Sequence, residues 1–323
     1  AVFGLFTADC VKFSRDTAVM TAASDENGFF EFTDVPFGQY IVREIESPSG
    51  YILSDKEYAV SIAEDGEVIE ITAENKPVTV EISKRDVYGN ELAGAEMVLE
   101  NADGEIIDEW ISDGTNHVVS KLGAGEYVLK EIAAPDGYII ATDIKFNVDV
   151  YGNVTVENVD SKAVSDNGDP LITMVDDTTK VQISKQDITT GEELPGATLQ
   201  IIDEDGNVVE EWVSTDEAHF IEGKLIAGKE YTLRETIAPD GYEIANEIRF
   251  TVNEDGSVTE VVMYDEHTPD LETPPTVIID IPHTGVSADN SAELYLVATA
   301  VIMVFGMVIC KKNDKEQRKD DVK

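Results

Sequence analysis

The chain has 323 residues, room for two or three domains. A formal net charge of -43 and an isoelectric point near 4.1 exclude a nucleic-acid partner, because nothing in the chain would neutralise phosphates. Disorder is excluded too, since 42% of the residues are apolar and fall in short alternating runs; the acidity suits a soluble, self-repelling, exported protein.

Residues 1–76 contain the first of three copies of a nine-residue box. It reads REIESPSGY at Arg43–Tyr51, KEIAAPDGY at Lys130–Tyr138 and RETIAPDGY at Arg234–Tyr242. The shared frame is a basic residue, Glu, three residues, Pro, one residue, Gly, Tyr. A fixed frame recurring at roughly 90–105 residues marks repeated domains. AVFGLF at Ala1–Phe6 aligns with AEMVL at Ala95–Leu99 and ATLQI at Ala197–Ile201. The two later repeats carry a strand before that point, VTVEISKRD at Val78–Asp86 and TKVQISKQD at Thr179–Asp187. The first repeat lacks it, so it reads as truncated, with an open sheet edge, and the chain as a fragment of a longer protein.

Residues 77–177 and 178–266 form the second and third repeats. Both contain period-2 runs of β-branched and aromatic residues broken by Asp-Gly, Asn-Gly and Tyr-Gly turns. ENADGEII (Glu100–Ile107) and IDEDGNVV (Ile202–Val209) read as hairpins. No long 3.6-residue period appears. The predicted fold class is all-β, tandem immunoglobulin-like β-sandwiches. Residues 158–170 read as a polar loop insertion. Cys10 and Cys310 are not expected to bridge, so an exported all-β protein of this kind needs another staple or large cores.

Residues 267–280 form a Pro-rich linker. IPHTG follows at Ile281–Gly285, then an uncharged apolar run at Leu294–Cys310, then a basic tail opened by Lys311 and Lys312. The run is just long enough for one C-terminal transmembrane helix, and the tail puts the C-terminus in the cytoplasm. The alternative is a buried core helix.

Strand parity gives the repeated Glu its meaning. Tyr127, Leu129 and Glu131 share a face; so do Tyr231, Leu233 and Glu235, and Tyr40, Val42 and Glu44. The apolar members mark it as the core face. The opening strands send Lys84 and Lys185 inward behind Val80 and Ile82, and Val181 and Ile183. The closing strands send in Asn75, Asp176 and Asp265 behind Ala73, Met174 and Met263. Asn158 has inward parity after Val154 and Val156 and is an alternative to Asp176, whereas Asp177 and Glu266 are one residue off and should face out. Separate charges in a core are costly. Burial favours a neutral amine and a protonated carboxyl, and proximity then favours an amide between side chains. The alternative is a buried salt-bridge triad with no covalent bond.

With these residues placed, the repeats resemble the collagen-adhesin B-type, or SpaA-like, isopeptide-forming domains of Gram-positive pilins and adhesins, which have a prealbumin-like fold. The resemblance covers about residues 1–265 and is most specific in the box. It implies an autocatalytic bond from Lys84 to Asp176 (or Asn158) with Glu131 as catalyst, and from Lys185 to Asp265 with Glu235. The first repeat keeps Glu44 and Asn75, and its lysine would lie upstream of Ala1. The C-terminus resembles the LPXTG-type cell-wall sorting signal of Gram-positive surface proteins, with Ile281 where Leu is usual. That implies a sortase as partner, attacking the Thr284 carbonyl and cutting before Gly285. Pro282 kinks the chain so as to present that bond. An amine of peptidoglycan or of a pilin subunit would then take up Thr284. A plain single-span membrane anchor is the alternative.

Nothing else carries chemistry. IDEDGN fails as a calcium loop because Gly206 comes too early and Ser214 occupies the bidentate position. The four histidines show no metal spacing, and no cofactor or resident metal is expected. Trp110 and Trp212 occupy equivalent positions and read as packing residues. The expected function is a non-enzymatic stalk at the cell surface. Alternatives are a sortase-polymerised pilus subunit, or the stalk of a wall-anchored enzyme. Any host matrix protein or glycan would be met through an upstream region.

Overall fold

A computed structural model describes residues 1–157, 165 and 167–269. Every regular element among them is a strand. The first repeat holds β1 (Val2–Thr7), β2 (Met20–Ala23), β3 (Gly38–Glu46) and β4 (Glu57–Ile62). The second holds β5 (Thr79–Asp86), β6 (Ala93–Asn101), β7 (Ile106–Asp113), β8 (His117–Ser120), β9 (Gly125–Ala133), β10 (Ile144–Val148), β11 (Val154–Val156) and β12 (Leu171–Asp176). The third holds β13 (Lys180–Asp187), β14 (Thr198–Ile202), β15 (Val208–Val213), β16 (His219–Glu222), β17 (Glu230–Ile237), β18 (Ile248–Thr251) and β19 (Thr259–Asp265).

In the second repeat a sheet ordered β11-β10-β9-β6-β7 faces one ordered β12-β5-β8. The third repeats the plan with β15-β14-β17-β18 facing β16-β13-β19. Alternation builds each core. Val80 and Ile82 of β5 meet Leu99 of β6, Leu129 of β9 and Met174 of β12. Val181 and Ile183 of β13 meet Leu199, Leu233 and Met263. Full burial of each such side chain contributes roughly 2 kcal/mol, and a one-residue slip would turn the whole set outward. Register is therefore strongly specified.

The hairpin turns form as their composition demands. Asn101 Oδ1 accepts the N–H groups of Asp103 and Glu105, with Gly104 at φ 78°. Asp203 Oδ1 accepts those of Asp205 and Asn207, with Gly206 at φ 86°. Glycine supplies the left-handed residue that each turn needs. Trp110 packs against its core and stacks on His117 at 4.0 Å; Trp212 stacks on His219 at 4.3 Å. Both act as packing residues, joining the edges of the two sheets.

The opening and closing strands of a repeat pair in parallel. Met174 of β12 lies opposite Lys84 of β5, and Met263 of β19 opposite Lys185 of β13. The first repeat has a single sheet, β2-β1-β3-β4. The closing strand expected at Ile71–Asn75 is not a strand. Ile71 and Ala73 still pack against Phe3, Leu5, Tyr40 and Val42, but no opening strand offers them a ladder. Half-buried and exposed residues alternate across 71–76 as parity requires. The side-chain pattern persists while the backbone pairing is missing.

Candidate functional site

The site arises where three strands aim polar residues into an apolar core. β5 is the central strand of its sheet, and Lys84 continues the inward line of Val80 and Ile82, 3% exposed. β12 lies beside it and brings Asp176, fully buried. Glu131 comes from β9 in the facing sheet, following Tyr127 and Leu129 inward. The lysine and aspartate thus sit side by side, and the glutamate meets them across the sandwich.

Lys84 Nζ is in direct contact with Asp176 Oδ1 and lies 3.1 Å from Glu131 Oε2. In the third repeat Lys185 Nζ contacts Asp265 Oδ1 and lies 3.2 Å from Glu235 Oε1. Each glutamate is held by a backbone N–H from ten residues on. Ala141 donates to Glu131 Oε2 at 2.6 Å and Ala245 to Glu235 Oε2 at 2.7 Å. Among the described residues three buried carboxyl oxygens have neither a hydrogen bond nor an ion pair, Glu131 Oε1, Asp176 Oδ2 and Asp265 Oδ2, while Glu235 Oε1 has only its contact with Lys185. An acceptor stranded in this way costs about 1–3 kcal/mol.

One amine and two carboxyls in a dry core would carry a net negative charge if all were ionised. Burial works against that charge. It pushes Asp176 up to about 7, helped by the neighbouring Glu131 and opposed by Lys84. It raises Glu235 likewise, helped by Asp265 and opposed by the Ala245 N–H and Lys185. A proton held by Asp176 in the second repeat, or by Glu235 in the third, leaves each cluster neutral.

That arrangement can make an amide. Passing the lysine's extra proton to whichever carboxyl is still ionised leaves a neutral amine, a protonated Asp and a protonated Glu. The amine attacks the Asp carbonyl, the glutamate relays protons to the departing oxygen, and water leaves. The glutamate ends as it began after the transfer, and atoms and charge balance. Contact removes the entropy of encounter, and the excluded solvent lets a protonated carboxyl polarise the carbonyl.

The first repeat has half of this. Glu44, 3% exposed, accepts Asn75 Nδ2 at 2.7 Å and the Ser54 N–H at 2.9 Å. Among the described residues no lysine joins them. Asp177 turns away to bond Lys180 at 2.7 Å, and Glu266 is exposed. Asn158, and Ile281, Pro282, Thr284 and Gly285 with the apolar run, lie outside the described residues. The N–H donors at Ser54, Ala141 and Ala245 were not read from the sequence. Their signal is the constant ten-residue offset from the Glu, which the Pro-x-Gly-Tyr turn produces by folding the chain back.

Comparison with solved structures finds the Bacillus anthracis TIE protein at 25% identity and TM-score 0.41, over 82% of this chain and 47% of that one. The chain thus spans about half the length of that protein. It also finds the shaft pilin SpaA from Lactobacillus rhamnosus GG, at 13% identity and TM-score 0.28 over 60% and 98%. A C-terminal fragment of the pilus adhesin SpaC from the same organism gives 19% and 0.36 over 60% and 98%. No curated protein matches the chain. The family model of the SpaA prealbumin-like fold domain matches residues 1–77, 78–162 and 179–267. With most of its length so matched and each copy of the box inside a match, the chain belongs to the SpaA prealbumin-like domain family.

Proposed function

We propose that this chain is the stalk of a Gram-positive surface adhesin or pilin-like protein. Its second and third domains are cross-linked by autocatalytic amides, Lys84 to Asp176 and Lys185 to Asp265, with Glu131 and Glu235 as the proton relays. The supporting observation is the same buried Lys–Glu–Asp contact in two successive domains. Opening and closing strands lie side by side in parallel, so each amide would tie together the two ends of a domain. Tension applied along the chain would then load the amide before the core. A sortase would join Thr284 to peptidoglycan or to a pilin lysine, releasing residues 285–323. The supporting features there are the Ile-Pro-His-Thr-Gly sequence, the apolar run and the basic tail.

Intact mass of the full chain under denaturing conditions tests the bonds. The expected result is a deficit of two waters, falling to one in Glu131→Ala and in Glu235→Ala. One water plus one ammonia would move the second-domain bond to Asn158. No deficit would sink the covalent reading and leave a stalk held by its cores. For the anchor, Thr284→Ala in a Gram-positive host is expected to shift the protein from the wall to the membrane fraction. Unchanged wall attachment would overturn the sortase assignment.

A further inference from the structure

Each box continues past its Glu into a Pro-x-Gly-Tyr turn, and in the first two that turn meets the next domain. Gly50 sits at φ 82° and Gly137 at φ 87°. A Cβ on Gly50 would overlap the carbonyl oxygen of Lys121, and one on Gly137 that of Gly223. Lys121 and Gly223 occupy the same place in successive domains, just after β8 and β16, at φ 61° and 65°. Lys121 accepts a left-handed backbone there without being glycine, as does Asp34 at φ 55° in the corresponding turn of the first domain.

Backbone bonds close around each contact in the same pattern. Val78 N–H donates to Gly50 O and Thr179 N–H to Gly137 O, both at 2.9 Å. Leu53 N–H of the first domain donates to Val150 O of the second. Gly223 N–H donates to Thr179 O at 2.9 Å, and Thr179 Oγ1 donates to Leu225 O at 2.6 Å. At the second boundary Tyr88 Oη and Thr178 Oγ1 both donate to Glu222 Oε1, at 2.7 Å each. The third box has the matching backbone bond, Thr268 N–H to Gly241 O. Yet among the described residues nothing lies within 4 Å of a Cβ on Gly241.

We infer that the box has a second role as a rigid inter-domain joint, in which its glycine lets one domain's turn seat directly on the left-handed turn of the next. Two turns of fixed shape meet backbone to backbone, so the joint holds one relative orientation instead of hinging where the domains join. The joint would exist whether or not the lysines react. It explains why the side-chain position of the box glycine is occupied by a neighbour at Gly50 and Gly137 and, among the described residues, left open at Gly241.

The test separates seating from local strain. Asn tolerates a left-handed backbone, so Gly137→Asn and Gly241→Asn bear a similar local cost, but only the first meets a carbonyl. Spin labels at Glu109→Cys and Glu260→Cys, in the full chain with Cys10→Ser and Cys310→Ser, report the distance between the second and third domains. The expected result is a narrow distribution in the parent and in Gly241→Asn, and a broadened one in Gly137→Asn. The double variant Tyr88→Phe, Thr178→Val removes both donors to Glu222 while leaving the turn intact. It should broaden the distribution as well, which keeps the test decisive should Gly137→Asn fail to fold. A parent as broad as the variants, equal broadening in Gly241→Asn, or narrow distributions in Gly137→Asn and the double variant would overturn the joint.

Discussion

Glu235→Ala is expected to lower the melting temperature of the third domain by roughly 20–30 °C, read by calorimetry beside the unaltered second domain. The residues joined by the proposed amide are 80 apart, and loop closure of that length is worth about 4.5 kcal/mol in the chain-entropy model. In a domain of this size each kcal/mol moves the midpoint by about 4–8 °C. The variant also leaves Lys185 and Asp265 buried and unreacted with the glutamate missing, which costs more. A second variant decides between amide and salt bridge. Lys185→Met with Asp265→Leu removes both charges and fills their space with apolar groups. Were the triad only an ion cluster, that exchange would be neutral or stabilising. On the covalent reading the double variant still loses the cross-link and melts well below the parent, though above Glu235→Ala. A double variant melting at or above the parent would refute the cross-link.

The core-facing half of the site was legible because strand parity is a strict rule. Tyr127, Leu129 and Glu131 fall on one face whatever else the chain does, and a Glu behind two core residues must be buried. The same reasoning placed Lys84, Lys185, Asp176 and Asp265, and it turned Asp177 and Glu266 outward. Parity fixes a face but not a neighbour. It did not say that β12 and β19 run parallel to β5 and β13, which sets the lysine beside the aspartate and not across from it. It also gave Ile71–Asn75 as a strand. That segment keeps its half-buried alternation and lacks a ladder, because a ladder needs two strands and alternation only one. Backbone donors such as the Ala141 N–H leave no trace in residue type. Only the shape of the turn, fixed by Pro and Gly, brings that N–H to Glu131.

Lys84→Met is expected to make the second domain lose stability as pH rises, opposite in sign to ordinary acid denaturation. The substitution blocks the amide and removes the one cation that draws Asp176 down. Burial, the largest cause, and Glu131 both remain to hold it up. The aspartate of the folded domain then titrates at or above about 7, while in the unfolded chain it titrates near about 4. Between those values the native state binds the extra proton, so stability is full below about pH 4 and falls until the folded-state value is passed. Between about pH 5 and 8 a folded-state value of about 7 gives about two units of linkage, about 2.6 kcal/mol, or a midpoint shift of roughly 10 °C or more. Asp86, Glu81 and Asp113 act with the opposite sign, since hydrogen bonds from Asn90, Asn116 and Thr115 hold them below the usual carboxylate range. Their effect is confined to acid below about pH 4, so melts at about pH 5 and 8 exclude them. The parent is the control, because an amide has no proton to bind and self-repulsion among surface carboxylates is common to both proteins. A second-domain midpoint that rises with pH in Lys84→Met, or one that tracks the parent, would show that the buried carboxyl is ionised. In that case the proton relay assigned to this core would lack its proton.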